Sequence, residues 1–141
     1  MIKVAFASTD RTRVNQHFGS AEGFVVYEVR PDKATLVGVA EFAEEAMDGN
    51  EDKLGAKVDF LEGCAGVYVM AIGASAIKKL LAKGIQPIRV DEVDTVDELL
   101  GQISKAMSDG GVAWIDRAIA AQNKAKAEDR FANMAEEGWE G

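Results

Sequence analysis

The segment Val67-Tyr68-Val69-Met70-Ala71-Ile72 carries an apolar or aromatic side chain at every position. This constrains the fold more than any other stretch. A strand with one wet face alternates polar and apolar residues, whereas an unbroken run belongs to a strand covered on both faces. Residues 2–7, Ile2-Lys3-Val4-Ala5-Phe6-Ala7, make a second buried run of strand length, stopped by Ser8-Thr9-Asp10. Strands of this kind need helices packed on a sheet, and the rest of the chain provides them.

Residues 24–29 read as a further strand, and the turn Arg30-Pro31-Asp32-Lys33 leads into a hairpin partner at 34–39. Residues 41–52 are acidic and irregular. Leu54, Val58 and Leu61 then recur at helical spacing, with Gly63 as the stop. Gly73-Ala74-Ser75 turns into a helix over 76–83, with Ser75 placed as its N-cap and Gly84 at its end. Residues 85–90 form another strand, which Pro87 assigns to a sheet edge. Thr95 caps a last core helix through Met107, with Val96, Leu99, Leu100 and Ile103 on one face. The order β-β-β-α-β-α-β-α implies an α/β fold with a mixed sheet.

Gly110-Gly111 separates a core unit, residues 1–108, from a helical, acidic extension over 109–141. In the extension Trp114, Ile115, Ala118, Ile119 and Gln122 share a helical face that Phe131 and Met134 prolong. Its last fourteen residues set Glu128, Asp129, Glu136, Glu137 and Glu140 against Arg130.

Charge and motif content exclude several function classes. The net charge of −8 argues against binding a nucleic-acid backbone, which depends on basic surface. The single cysteine allows no internal disulfide, so a reducing cytoplasm is expected. Neither a signal peptide nor a membrane-spanning apolar run is evident. No zinc-hydrolase HExxH, nucleophile elbow, phosphate loop or dinucleotide fingerprint is present. A Mg²⁺-dependent nuclease needs several carboxylates at strand ends, and Asp10 is the one candidate, since the central run ends in Ala71-Ile72-Gly73.

The stretch between the first two strands, residues 8–23, is polar and about sixteen positions long, uncommon for a connection without a role. It holds the only histidine, His17. If residues 2–7 run parallel to 67–72, this loop shares one rim of the sheet with Gly73 and Ser75. The carboxyl ends of parallel strands are where ligands bind in α/β sheets. A helix N-terminus there offers free amide donors, and Arg11 and Arg13 add a basic spot to an acidic protein. With Ser8 and Asn15, the rim suits an anionic ligand held by one imidazole. The plainer alternative makes His17 a loop hydrogen-bonder and Phe18 a core anchor. Cys64 precedes its strand and falls near the opposite rim, as a small buried hydrophobe or, less simply, a second metal ligand.

The opening Lys3-Val4-Ala5-Phe6-Ala7-Ser8 and the segment Asn15-Gln16-His17-Phe18-Gly19-Ser20-Ala21 resemble the nitrogenase iron–molybdenum cofactor-binding domains. The segments Asp48-Gly49-Asn50-Glu51-Asp52-Lys53-Leu54 and Leu61-Glu62-Gly63-Cys64-Ala65 resemble the NifX branch of that family. The resemblance spans roughly residues 1 to 105. It implies a ribonuclease-H-like fold with a mixed five-stranded sheet. It also implies a non-enzymatic carrier that takes an iron–sulfur precursor of the nitrogenase cofactor, or the related iron–molybdenum cofactor, from a NifB-type cluster synthase to a NifEN-type scaffold. His17 occupies the histidine of the family's HFG motif, implicated in cofactor binding. The ligating imidazole is neutral, so such binding weakens in acid. A rival expectation is a protein–protein adaptor docking through Trp114, Ile115 and Ile119.

Overall fold

The computed structural model describes residues 1–42, 50–92 and 94–138, with side chains described except at 50–53, 126 and 128–138. Most of the acidic stretch, with Asp48 and Gly49, lies outside the described residues, as do the side chains of Phe131, Met134 and the tail carboxylates.

The elements run β1 (Ile2–Ala7), β2 (Arg13–Val14), β3 (Gly23–Val29), β4 (Ala34–Glu41), α1 (Asn50–Phe60), β5 (Gly66–Val69), α2 (Ala74–Ala82), β6 (Gln86–Arg89), β7 (Asp94–Thr95), α3 (Val96–Asp109) and α4 (Ala113–Gly138). Five strands form one mixed sheet in the order β4-β3-β1-β5-β6. β1 pairs in parallel with β5, and β5 with β6, while β3 runs antiparallel to both β1 and β4. The two runs without alternation therefore lie side by side in the middle of the sheet. Pro87 sits on the edge strand β6, where its missing amide costs no ladder bond.

Both faces of β1 and β5 are buried. Ala5, Ala7, Val67 and Val69 join Phe18, Phe24, Val58, Leu61 and Leu80 in one layer, which includes residues of α1 and α2. Val4, Phe6 and Tyr68 join Val25, Val29, Leu99, Ile103 and Ile115 in the other, with residues of α3 and α4. A period-two element buried on both sides must be apolar at consecutive positions, as the opening sequence reading required.

Three expectations need correction. Residues 8–23 are not one open loop: β2 pairs with β7, Arg13 opposite Thr95 and Val14 opposite Asp94. Val14 is fully buried, which anchors the middle of the excursion. Ser75 is not an N-cap. Gly73 holds that position with no side-chain hydrogen bond, so α2 starts one turn-fraction earlier and Ser75 lies inside it. The adaptor face is also occupied. Ile115 is buried, and Trp114, Ala118 and Ile119 pack against the Val4–Phe6–Tyr68 layer, with Trp114 edge-on to Tyr68 at 6.2 Å. An apolar helical face beside an open sheet layer gains most by covering it.

Thr95 does cap α3, its hydroxyl accepting from the Glu98 amide at 3.2 Å. Thr95→Ala is expected to cost about 1 kcal/mol in urea-unfolding experiments, the usual loss of an N-cap oxygen.

Candidate functional site

The chain leaves the sheet at Ala7 and returns at Asn15, whose amide donates to the Ala7 carbonyl at 3.2 Å. Gln16 to Phe18 then continue the line of β1 beside the run-out of β5. The Met70 amide donates to Gln16 O at 2.9 Å, and the Phe18 amide donates to Ala71 O at 2.8 Å. His17 forms a parallel bridge with Ala71, two residues ahead of Gly73. Phe18 is fully buried, while its neighbour His17 is exposed. Strand alternation explains the contrast: one side chain goes to the core and the next turns away from it. The imidazole is thus carried by a backbone pinned from both sides, at the carboxyl end of the two central strands.

Asp10 is the hub of the preceding excursion. Its Oδ1 accepts from the Thr12 and Arg13 amides at 2.8 and 2.9 Å and from Ser8 Oγ at 3.1 Å. Its Oδ2 accepts from Arg13 Nε and Nη2 at 3.2 and 3.1 Å. The Thr12 and Arg13 amides, with the Arg13 guanidinium, hold its carboxyl well below the usual carboxylate range. Ser8 is buried and accepts from the Arg11 amide at 2.9 Å. Asn15 Oδ1 accepts from the Thr9 amide at 3.1 Å, and its Nδ2 donates to Thr9 Oγ1 at 3.0 Å.

The expected site residues therefore divide. Ser8, Arg13 and Asn15 make the hydrogen bonds that shape the loop. Arg11 is exposed, with Glu41 at 3.8 Å as its carboxylate contact. It sits at φ 65°, a left-handed conformation costly for a residue with a Cβ, the kind of local strain that gathers at functional loops. Gly73 to Ser75 are exposed, and the first amides of α2 have no intrahelical acceptor by their position. A Cβ added at Gly19 or Gly73 would meet nothing within 4 Å, so both leave open backbone on the rim.

Cys64 lies at the other end of β5. It precedes Ala71 by seven positions, roughly 20 Å of extended chain. It is buried, and burial pushes its thiol up to about 11, partly offset by the Lys3 charge. The structure does not bring it to His17. Among the described residues no group of three or more His, Cys, Asp or Glu is placed to hold a metal ion.

Lys57 was not singled out by the sequence reading. It is buried, and its ammonium donates to Gly19 O at 2.7 Å and to Phe18 O at 3.4 Å. Its signal was available: Leu54, Lys57, Val58 and Leu61 follow the spacing of one helical face, so a lysine occupies an apolar stripe.

No helix among the described residues is long and apolar enough to cross a membrane. Protein NifX of Azotobacter vinelandii is 46% identical over 140 residues, covering 99% of this chain and 88% of that protein. The FeMo cofactor biosynthesis protein NifB of Frankia alni is 33% identical over 108 residues, which is 73% of this chain and 21% of that protein. The crystal structure of PH0822 superposes with a TM-score of 0.58 at 22% identity, covering 73% of this chain and 88% of that one, a likeness of fold. Residues 1–106 match the family described as dinitrogenase iron-molybdenum cofactor. With the family match over residues 1–106 and the NifX relatives in agreement, the chain belongs to the dinitrogenase iron-molybdenum cofactor family.

Proposed function

We propose that this protein works in nitrogenase cofactor biosynthesis as a non-enzymatic carrier. It binds an iron–sulfur precursor of the cofactor, or the related iron–molybdenum cofactor, and passes it between assembly proteins. The binding unit is residues 1–108, with a ribonuclease-H-like arrangement supported by the order β4-β3-β1-β5-β6 and the lone antiparallel β3. A NifB-type synthase as donor and a NifEN-type scaffold as recipient fit the kinship with NifX and NifB proteins.

The observation that carries this reading is the rim itself. An exposed imidazole stands on backbone bonded to Met70 and Ala71 just past β5, two residues ahead of Gly73 at the start of α2, with Arg11 exposed on the same loop. An imidazole ligates an iron site, while amide donors at a helix start and a guanidinium stabilise anionic charge. Resident clusters are held by several cysteines. One protein ligand is instead suited to a cargo that arrives assembled and must leave again.

The test is anaerobic incubation with isolated iron–molybdenum cofactor, followed by gel filtration and iron counting. His17→Ala is expected to lower retained iron about tenfold, the scale of losing a metal-site interaction. Cys64→Ala is expected to retain as much as the parent. Equal retention by parent and His17→Ala would sink the proposal.

A further inference from the structure

We infer that Lys57 is a positioning residue for His17: its buried ammonium fixes the turn that presents the imidazole. This rests on the carrier reading above and deepens it.

A lysine in the last turn of a helix is ordinarily explained by the helix dipole, and Lys57 is in the last turn of α1. That explanation is satisfied by an ammonium in water. Lys57 is instead only 4% exposed. Burying an ammonium is expensive, and an apolar side chain of the same length would fill the position at lower cost. Two of its contacts lie in the turn that follows His17. Nζ reaches across 38 residues of sequence to the Gly19 carbonyl at 2.7 Å, with the Phe18 carbonyl at 3.4 Å and the Phe42 ring centroid at 5.8 Å.

Those two carbonyls follow His17 directly. Phe18 O also accepts from the Ala21 amide at 3.3 Å, so two donors converge on one oxygen. Upstream of His17 the backbone is held by the Gln16–Met70 bond, and at Phe18 by the bond to Ala71. Downstream, the turn over 18–20 has Lys57 as its tie to α1. Without that tie the turn relaxes, the imidazole samples more orientations, and binding must order it afresh. The described contacts place Lys57 against backbone oxygens beneath the rim; it acts on a cargo through the His17 backbone.

Lys57→Met keeps the length of the stem and removes the donor. Isolated iron–molybdenum cofactor is the probe, with retained iron counted after anaerobic gel filtration. Lys57→Met is expected to melt within a few degrees of the parent and to retain about tenfold less iron. In a His17→Ala background the same substitution should change retention less than about twofold, because it has nothing left to orient. Equal losses in both backgrounds, or parent-like retention by Lys57→Met, would overturn the assignment. Lys57→Gln, whose amide falls one bond short of the carbonyls, is read by the same outcomes if Lys57→Met does not fold. A parent that itself retains no iron defeats the carrier reading. Positioning is then judged on the cargo-free proteins by hydrogen exchange. An Ala21 amide exchanging about tenfold faster in the variant supports it, and parent-like exchange overturns it.

Discussion

Phe18→Ala is expected to destabilise the protein by about 4 kcal/mol and to lower its melting temperature by on the order of 10 °C. Phe18 is fully buried and sits at one end of an aromatic chain. Its ring centroid lies 5.6 Å from that of Phe24, which stands edge-on to Phe42 at 5.9 Å; Phe42 in turn meets Phe60 at 6.3 Å. Truncation removes ring contacts at the end of that chain and leaves a cavity between elements that cannot collapse independently. The backbone of the same residue donates to Ala71 O, so the cavity opens directly under the His17 bridge. Phe18→Leu fills most of the volume and should lose less than half as much. Urea unfolding of the two variants checks the ranking. Equal losses would show that the ring contacts matter more than the buried volume.

Gly23→Ala is the second large effect, expected to cost about 2 kcal/mol. A Cβ built on Gly23 falls 2.7 Å from the Ser8 carbonyl oxygen and 3.4 Å from the Ala40 carbonyl oxygen. Both obstacles are backbone, so no rotamer change relieves them. The Ser8 amide also donates to Gly23 O at 3.0 Å, which ties the start of the rim loop to this point. Removing a glycine normally stabilises through the unfolded chain by about 0.4–1 kcal/mol, and here the clash exceeds that gain. Gly19→Ala is the control: nothing lies within 4 Å of its Cβ position, and stability should stay within about 0.5 kcal/mol. Paired thermal melts decide the matter, and comparable losses at the two glycines would discredit the steric account.

Much of the architecture was legible along the chain. Val67-Tyr68-Val69 and Val4-Ala5-Phe6 announced two strands buried on both faces, because consecutive apolar residues in a period-two element admit no wet side. Thr95 announced the start of α3, because a cap and the amide it accepts from lie in one turn. Pro87 announced an edge. These signals are local, carried by residues within a few positions of one another.

The candidate site was legible only in outline. His17 stood out as the sole histidine, and its loop was placed at the correct rim once β1 and β5 were taken as parallel. The roles of its neighbours were not readable. Arg11 and Arg13 look alike in sequence, yet Asp10 engages the Arg13 guanidinium in two hydrogen bonds while Arg11 takes a left-handed conformation with Glu41 at 3.8 Å. Ser75 resembled a cap better than Gly73 does, and the backbone chose Gly73. The face of Trp114, Ile115 and Ile119 was readable as a docking surface until the layer beneath it was known.

The chain by itself determined the α/β class, the central strands and the existence of a single histidine, because hydrophobic period and residue identity are properties of short segments. Tertiary structure alone decided that residues 16–18 lie alongside Met70 and Ala71 just past β5, and that Lys57 ends against the carbonyls of the turn after His17. Those facts depend on pairings between positions tens of residues apart. Register and burial are settled by how whole layers pack, and no local pattern encodes which carbonyl a buried amine will meet.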